Sequence, residues 1–305
     1  EARPAPASVL ICSRERPALL GDTVRSVLAG AVVPAELVIV DQSAEVDREL
    51  AALGDVRGCR VRYVHSSTAG LSRARNVGLR TATSEVAVML DDDMLVDERW
   101  LSELLAGRPA APRALATGRV LAAPPEGDAG IVPPAALVER DTPAVYRGPQ
   151  AIDVVPGANV ALPRELALEV GGYDERLGAG TRFGAADDND MGYRLLRAGC
   201  EVHHVPSAIA LHRAWRSRSE LLRLRWRYAR GKGAFYAKHA ERRDRHIRAR
   251  AGADIARRVR RAARSVPTSP RTTAAELISL AGMASGAVDW IVTQRALGRR
   301  RGRSA

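Results

Sequence analysis

The stretch "VAVMLDDDM", Val86 to Met94, sets three consecutive aspartates directly behind an apolar run. Val86 to Leu90 is short, continuous and bounded by polar residues, which marks a buried strand with the aspartates at its carboxyl end. Neighbouring carboxylates disfavour one another's ionisation unless positive charge sits among them. The strand end therefore asks for a cation.

Working outward from it, "ASVLICSR" (Ala7–Arg14) and "AELVIVDQS" (Ala35–Ser43) read as strands joined by the helical pattern "ALLGDTVRSVLAG", which ends on Gly30. Connections this short make a βαβ unit with parallel strands. "RVRYVHS" supplies a third strand and "GLSRARNVGLRTAT" a helix opening at Gly70, so the run from Val86 is the fourth. Alternating β and α elements predict an α/β fold, a mostly parallel Rossmann-like sheet flanked by helices. In such sheets ligands gather at the carboxyl ends of the strands. Ser13 and Arg14 follow the first strand, Asp41 and Ser43 the second, and Asp91, Asp92 and Asp93 the fourth.

The topology suggests a nucleotide, yet neither GxGxxG nor GxxxxGK[ST] is present. A divalent ion on the aspartates would neutralise phosphates that lack a glycine-rich cradle, and Mg²⁺ or Mn²⁺ suits carboxylate and phosphate oxygens. Asp97 is better placed than Asp91–Asp93 to cap the helix at "DERWLSELLAG".

A second acidic cluster, Asp187, Asp188 and Asp190, opens the amphipathic helix "DMGYRLLRAG", which Gly199 ends. The helix dipole accounts for one carboxylate there, not three. Further on, "VHHVPSAIALHR" predicts a strand, a break at Pro206, a second strand, and His212 returning toward the metal.

The composition, 305 residues and 46% hydrophobic, is that of a folded chain able to form one large α/β domain or two smaller ones. Cys12, Cys59 and Cys200 lack any paired spacing, which argues against disulfides or a zinc knuckle and fits a reducing compartment. Cys12, inside a strand, reads as an inert buried thiol. Glu1 to Ser8 has no apolar signal core, and the expectation is a cytoplasmic protein. The net charge of +12 is concentrated: Arg213 to Ala305 holds 25 basic against 6 acidic residues, while residues 1–212 hold 22 against 29. With aromatics at 4% and no nucleic-acid-reading module, nucleic acid is not expected as a partner.

In order, "VLICSR", "ELVIVDQS", "GLSRARNVGL", "VMLDDDM", "GANVALPRE", "VGGYDERL", "ADDNDMGYRLLRAG" and "IALHR" resemble the family 2 glycosyltransferases, of GT-A fold, over about Ser8 to Arg213. The resemblance implies an inverting, metal-dependent hexosyl transfer from a UDP-, GDP- or dTDP-sugar to a glycan or lipid-linked acceptor, in bacterial cell-surface polysaccharide or glycolipid synthesis. It implies donor contacts from Ser13, Arg14, Asp41, Ser43, Arg73, Asn76, Asp91 and Asp92, with Asp41 on the base. Asp91, Asp93 and His212 would hold Mn²⁺ or Mg²⁺. Asp188 would be the general base, with Asp187 beside it because the usual "ED" is here "DD". Asn159 and Asp190 would contact the acceptor. The domain would divide into a nucleotide-sugar half, 8–118, and an acceptor half, 119–212, followed by a basic helical region, 213–305. "LRLRW", Leu222–Trp226, departs from the QxxRW of processive synthases, so a single transfer is expected.

Two other classes stay open. A sugar-phosphate nucleotidyltransferase would carry a glycine-rich loop and a Lys after strand one, which "ICSRERPALL" lacks. A non-catalytic glycan-binding or membrane-scaffold protein would have lost the acidic groups, all of which stand. The proline-rich Ala123–Gln150 lacks periodicity, and reads either as a surface excursion or as a loop over the acceptor. The C-terminal region is helical by pattern up to the break at "PTSP". The last apolar segment is a poor membrane span because it contains Glu276 and Asp289. With "RRRGR" behind it, that segment is either an interfacial anchor on anionic lipid, peripheral to the inner face of the plasma membrane, or a helix packed on the core.

Overall fold

The computed structural model describes residues 3–127, 130–241 and 243–301. The chain divides into two compact units, one of Glu1–Glu175 with Asp188–Ser217, the other of Arg176–Asp187 with Arg218–Ala305.

In the first unit the elements run β1 (Ala5–Ser13), α1 (Pro17–Ala29), β2 (Pro34–Asp41), α2 (Arg48–Ala51), β3 (Asp55–Val56), β4 (Cys59–His65), α3 (Leu71–Thr81), β5 (Val86–Asp91), β6 (Met94–Val96) and α4 (Trp100–Ala106). Then follow β7 (Ala114–Pro125), β8 (Ala144–Arg147), β9 (Val160–Pro163), α5 (Arg164–Glu169), α6 (Asp187–Arg197) and β10 (Glu201–Ala214). The order across the sheet is β3-β4-β2-β1-β5-β9-β7-β10-β6, with β8 also on β10.

β1 pairs in parallel with β2 and β5, and β2 with β4, as the βαβ reading requires. Beyond β5 the sheet is mixed: β9 runs antiparallel to β5 and β7, and β6 and β8 antiparallel to β10. Both faces of β1 are covered. Ala7, Val9 and Ile11 enter one apolar cluster with Leu20, Val24 and Val27 of α1, while Leu10 and Cys12 enter another with Ala74 and Leu79 of α3. A strand buried on both sides must read as near-continuous apolar sequence, and β1 does so apart from Ser8, whose hydroxyl donates to Glu36. All three cysteines are buried and free.

Two expectations need correction. "VHHVPSAIALHR" is one strand, not two: β10 keeps its pairing with β7 through a register shift between Val205 and Ile209, which spans Pro206, a residue with no N–H to give the ladder. Ala123–Gln150, whose Asp128 and Ala129 lie outside the described residues, is not wholly irregular. It completes β7, makes a 3₁₀ turn at Pro134–Ala136 and forms β8.

The second unit is helical: α7 (Arg218–Ala240), α8 (Arg245–Ser265) and α9 (Pro270–Arg301). The break at "PTSP" falls between α8 and α9. A second break, absent from the periodicity, precedes Asp244, whose carboxylate accepts from the N–H groups of His246 and Ile247 and caps α8. α7 and α9 pack at backbone contact distance: a Cβ at Gly233 would lie 2.0 Å from the Met283 carbonyl oxygen, and one at Gly286 1.9 Å from that of Arg230. Arg176–Asp187 belongs to this unit, where Phe183 stacks against Trp290 with ring centres 5.3 Å apart and Arg182 pairs with Asp289.

α9 packs within the second unit and also presents an apolar sequence. Pro270–Ala296 is long and apolar enough to cross a membrane by length and composition, with mean hydropathy 1.3. Yet Glu276, Ser279, Met283 and Trp290 are buried inside the unit. Glu276 is ion-paired to Arg258 at 3.1 Å and Arg261 at 3.5 Å. The run "RRRGR" lies outside the residues whose side chains are described.

Candidate active site

β1, β2 and β5 end side by side, and the turn between β5 and β6 carries Asp92 and Asp93 inward, each 3% exposed. Burial of two adjacent carboxylates demands compensation. Arg16 donates to Asp92 Oδ1 at 2.9 Å and to Asp93 Oδ2 at 3.3 Å, and Ser13 Oγ donates to Asp92 Oδ2 at 2.7 Å. Trp215 Nε1–H reaches Asp93 Oδ2 at 3.0 Å and Arg216 reaches it at 3.4 Å. The guanidinium of Arg16 also lies 5.4 Å from the centre of the Trp215 ring.

These neighbours separate the two carboxylates. Burial pushes Asp92 up to about 7, against the pull of Arg16 and with repulsion from Asp93 added. Burial acts on Asp93 in the same direction. There His212, Arg216, Arg16 and Trp215 outweigh it and hold the carboxyl below the usual carboxylate range.

Antiparallel pairing sets His212 opposite Met94, one residue past Asp93. His212 Nε2 lies 3.6 Å from Asp93 Oδ1, and Nδ1 lies 3.0 Å from the Arg213 carbonyl oxygen. Because a carbonyl oxygen only accepts, Nδ1–H donates to it, and Nε2 is the nitrogen that faces Asp93. An imidazole nitrogen beside an ionised carboxylate suits Mn²⁺ or Mg²⁺, whose remaining positions substrate phosphates and water commonly fill.

The expected metal trio is not assembled. Asp91, a third exposed, turns away and accepts from Arg75 at 3.0 Å, and no group of three or more His, Cys, Asp or Glu able to hold a metal occurs among the described residues. The chain turns directly after Asp91, so the three aspartates leave the strand in different directions. Asp92 is buried, with one of its oxygens bonded to Ser13 and the other to Arg16.

Arg75 joins this cluster to the second one. Its side chain is buried, donates to the Gly157 carbonyl oxygen at 2.8 Å and lies over the Tyr173 ring. A Cβ at Gly157 would sit 3.3 Å from Arg75 Nη2 and 3.5 Å from Asp188 Oδ2. Asp91, Arg75, Gly157 and Asp188 therefore follow one another in space. Asp187 and Asp190 are buried, and Asp188 alone of the three is partly exposed. The residue before them, Ala186, has φ of +69°, a left-handed conformation costly for alanine and frequent beside functional groups.

At the end of β2, Asp41 accepts from Ser43 Oγ and Tyr63 Oη, each at 2.6 Å. Burial, then the bond to Asp41, pushes the Tyr63 hydroxyl up to about 12. Ser43 Oγ accepts from the Glu15 N–H at 2.7 Å, and Arg14 is exposed beside it. Ser13, Arg14, Asp41 and Ser43 thus share one sheet edge with the aspartates.

Four other expected contacts are engaged within the fold. Asn159 is fully buried: Nδ2 donates to the carbonyl oxygens of Arg119 and Ala208, and Oδ1 accepts from Trp100 Nε1 at 2.8 Å. Asp190 is fully buried and tied to Arg194 at 2.8 Å, whose other nitrogens hold the carbonyls of Val170 and Gly172. Asn76 bonds both the N–H and the carbonyl of Tyr173, and Arg73 turns to Glu175 at 3.1 Å. On a helix residues 73 and 75 lie some 200° apart, so only one faces the strand ends, and that one is Arg75. Sequence reasoning also missed Arg16, Trp215 and Arg216. Their signal is weak, being only proximity to Ser13 and His212.

Residues 8–144 match the family model Glycosyl transferase family 2. Among curated relatives, the glucosyl-dolichyl phosphate glucuronosyltransferase of Haloferax volcanii is 32% identical over 182 residues, 56% of this chain and 56% of that protein. The pre-mycofactocin glycosyltransferase of Mycobacterium tuberculosis is 27% identical over 154 residues, 48% of this chain and 31% of that one. The chain thus spans about half or less of the length of these relatives. Among solved structures, the mannosyltransferase PcManGT from Pyrobaculum calidifontis, in complex with GDP-Man and Mn²⁺, has a TM-score of 0.58 at 19% identity, over 97% of this chain and 83% of that one.

Proposed function

We propose, from the premise that residues 8–144 are a glycosyl transferase family 2 domain on a GT-A fold, that this chain moves a sugar from a nucleotide-diphospho-sugar to an acceptor hydroxyl in a single inverting transfer. One observation carries the reading. A partly exposed carboxylate, Asp188, is linked through Gly157 and Arg75 to the strand end bearing Asp91 and the buried Asp93–His212 pair.

Asp41 and Ser43 receive the nucleoside, a UDP, GDP or dTDP group, with Arg14 beside it. Asp93 and His212 would hold Mn²⁺ or Mg²⁺, with Asp91 reaching the same donor. When bound, the ion supplies positive charge against that of the departing diphosphate. Arg16 and Arg216, which neutralise Asp93, add positive charge at the same place. Asp188 takes the proton of the acceptor hydroxyl. The oxygen then bonds to the anomeric carbon from the face opposite the diphosphate as the bond to the diphosphate breaks, which inverts the centre. No side chain is consumed.

The acceptor is a lipid-linked or cell-surface glycan precursor, reached at the inner face of the plasma membrane. The basic helical unit and the dolichyl phosphate acceptor in the name of one relative support this part of the reading. The test is a panel of nucleotide-sugars assayed for binding and hydrolysis with Mn²⁺ and with chelator. Metal-dependent binding of one donor is expected, and no binding of any donor under either condition would end the proposal.

A further inference from the structure

Helical units of soluble proteins place apolar residues inward, and this one also places them outward. Of the eleven exposed large hydrophobic side chains among the described residues, seven lie on α7, α8 and α9 and an eighth, Val266, is the C-cap of α8. On α8 and its C-cap, Ile255, Val259 and Val266 recur at positions i, i+4 and i+11, one stripe of the helix, exposed at 44%, 50% and 62%. On α9, Leu277, Ala281, Ala284, Val288 and Val292 form a second exposed stripe. Stripes of this size expose a face to something apolar.

On the face of α8 opposite that of Ile255 and Val259, roughly 120–180° around the helix, arginine recurs at i, i+3, i+4 and i+7. Arg257, Arg260, Arg261 and Arg264 line a recess of about 600 Å³ with Thr268 and Thr272. Thr272 is in the first turn of α9, where unpaired backbone N–H groups already concentrate positive charge, and that turn holds no acidic residue. Asp254 pairs with Arg257, and Glu276 with Arg261. Arg260 and Arg264 have no ion pair among the described residues. Uncompensated cations at the positive end of a 32-residue helix repel one another until an anion enters.

We propose that α8 and α9 seat this chain on an anionic bilayer, with the stripe of Ile255, Val259 and Val266 immersed among the acyl chains and the long side chains of Arg257, Arg260, Arg261 and Arg264 reaching back from the opposite face to phospholipid phosphates. Apolar insertion and phosphate attraction then act together, as in amphipathic helices lying in the interface. The inference deepens the membrane part of the proposed function and uses none of the transfer residues.

The experiment is flotation of the full chain with phosphatidylcholine vesicles with and without phosphatidylglycerol. The chain is expected to float only with the anionic vesicles. Arg260→Gln with Arg264→Gln should weaken partitioning roughly 25-fold, about fivefold per charge. Ile255→Ser with Val259→Ser should weaken it with helicity unchanged by circular dichroism. The proposal is overturned if the wild type fails to float, if it floats equally on neutral vesicles, if either double variant floats like wild type, or if the recess takes up inorganic diphosphate while vesicles are ignored. Nucleotide-sugar binding measured in solution on the same variants separates this failure from failure of the transfer reading.

Discussion

His212 Nε2 and Asp93 Oδ1 lie 3.6 Å apart, both buried, although 119 positions separate them in the chain. Three-residue pairing of β6 with β10 brings them together, and the bond of the ring's Nδ1–H to the Arg213 carbonyl fixes which nitrogen faces the carboxylate.

That pair is the part of the aspartate run best suited to a metal. Asp93→Ala is expected to lower metal-dependent donor binding by roughly 100-fold or more, since even outer partners of metal ligands are worth 10- to 100-fold. Calorimetric titration with and without Mn²⁺ reads it. A variant that binds donor as tightly as wild type, with the same metal dependence, would remove Asp93 from the site.

Asp188→Asn keeps the shape and loses the proton acceptor. Donor affinity should stay within about twofold while transfer falls by roughly 10² to 10⁴, the range for loss of a positioned base. Asp190→Asn supplies the contrast. Because Asp190 braces Arg194 inside the fold, its variant should unfold at lower temperature, with transfer per folded molecule largely kept.

Asn159 closes three hydrogen bonds in the sheet and sits at φ of +59°. Asn159→Ala leaves the Trp100 N–H and two carbonyls unpaired and should cost about 3 kcal/mol. Denaturant unfolding checks this. An acceptor-binding residue would instead raise the acceptor KM at unchanged stability.

Glu36 is 2% exposed and accepts from Ser8 Oγ, the Thr83 N–H and Arg62. Burial raises its affinity for a proton, but these partners outweigh burial and leave it below the ordinary 4.5. The unfolded chain then binds the proton at higher pH than the native one, so this stabilisation is complete above about pH 4.5 and is lost as pH falls toward the native value. Wild type should lose stability on acidification through that window. Glu36→Gln should be less stable by roughly 1–2 kcal/mol at pH 7, with a flatter acid limb in thermal melts.

The sequence by itself determined the βαβ start, because a strand buried on both faces is apolar at nearly every position, Ser8 and Glu36 being tolerated because they bond each other, and its remaining polar residues wait for its end. It likewise determined that Asp41, Asp91–Asp93 and the Asp187 cluster crowd at strand and helix termini, since spacing sets where an element stops. The mixed half of the sheet was not legible, because antiparallel pairing of β6, β8 and β9 depends on long-range register that no local pattern carries. Nor was the sorting of the aspartates. Asp91, Asp92 and Asp93 are identical in sequence, and only the turn after β5 decides that one meets Arg75, one Ser13 and one His212. Asn159, Asn76 and Asp190 stand inside motifs that suggested ligand contact, yet each meets buried backbone or a buried arginine. A polar side chain serves ligand or fold according to what surrounds it, and tertiary structure alone supplies the surroundings.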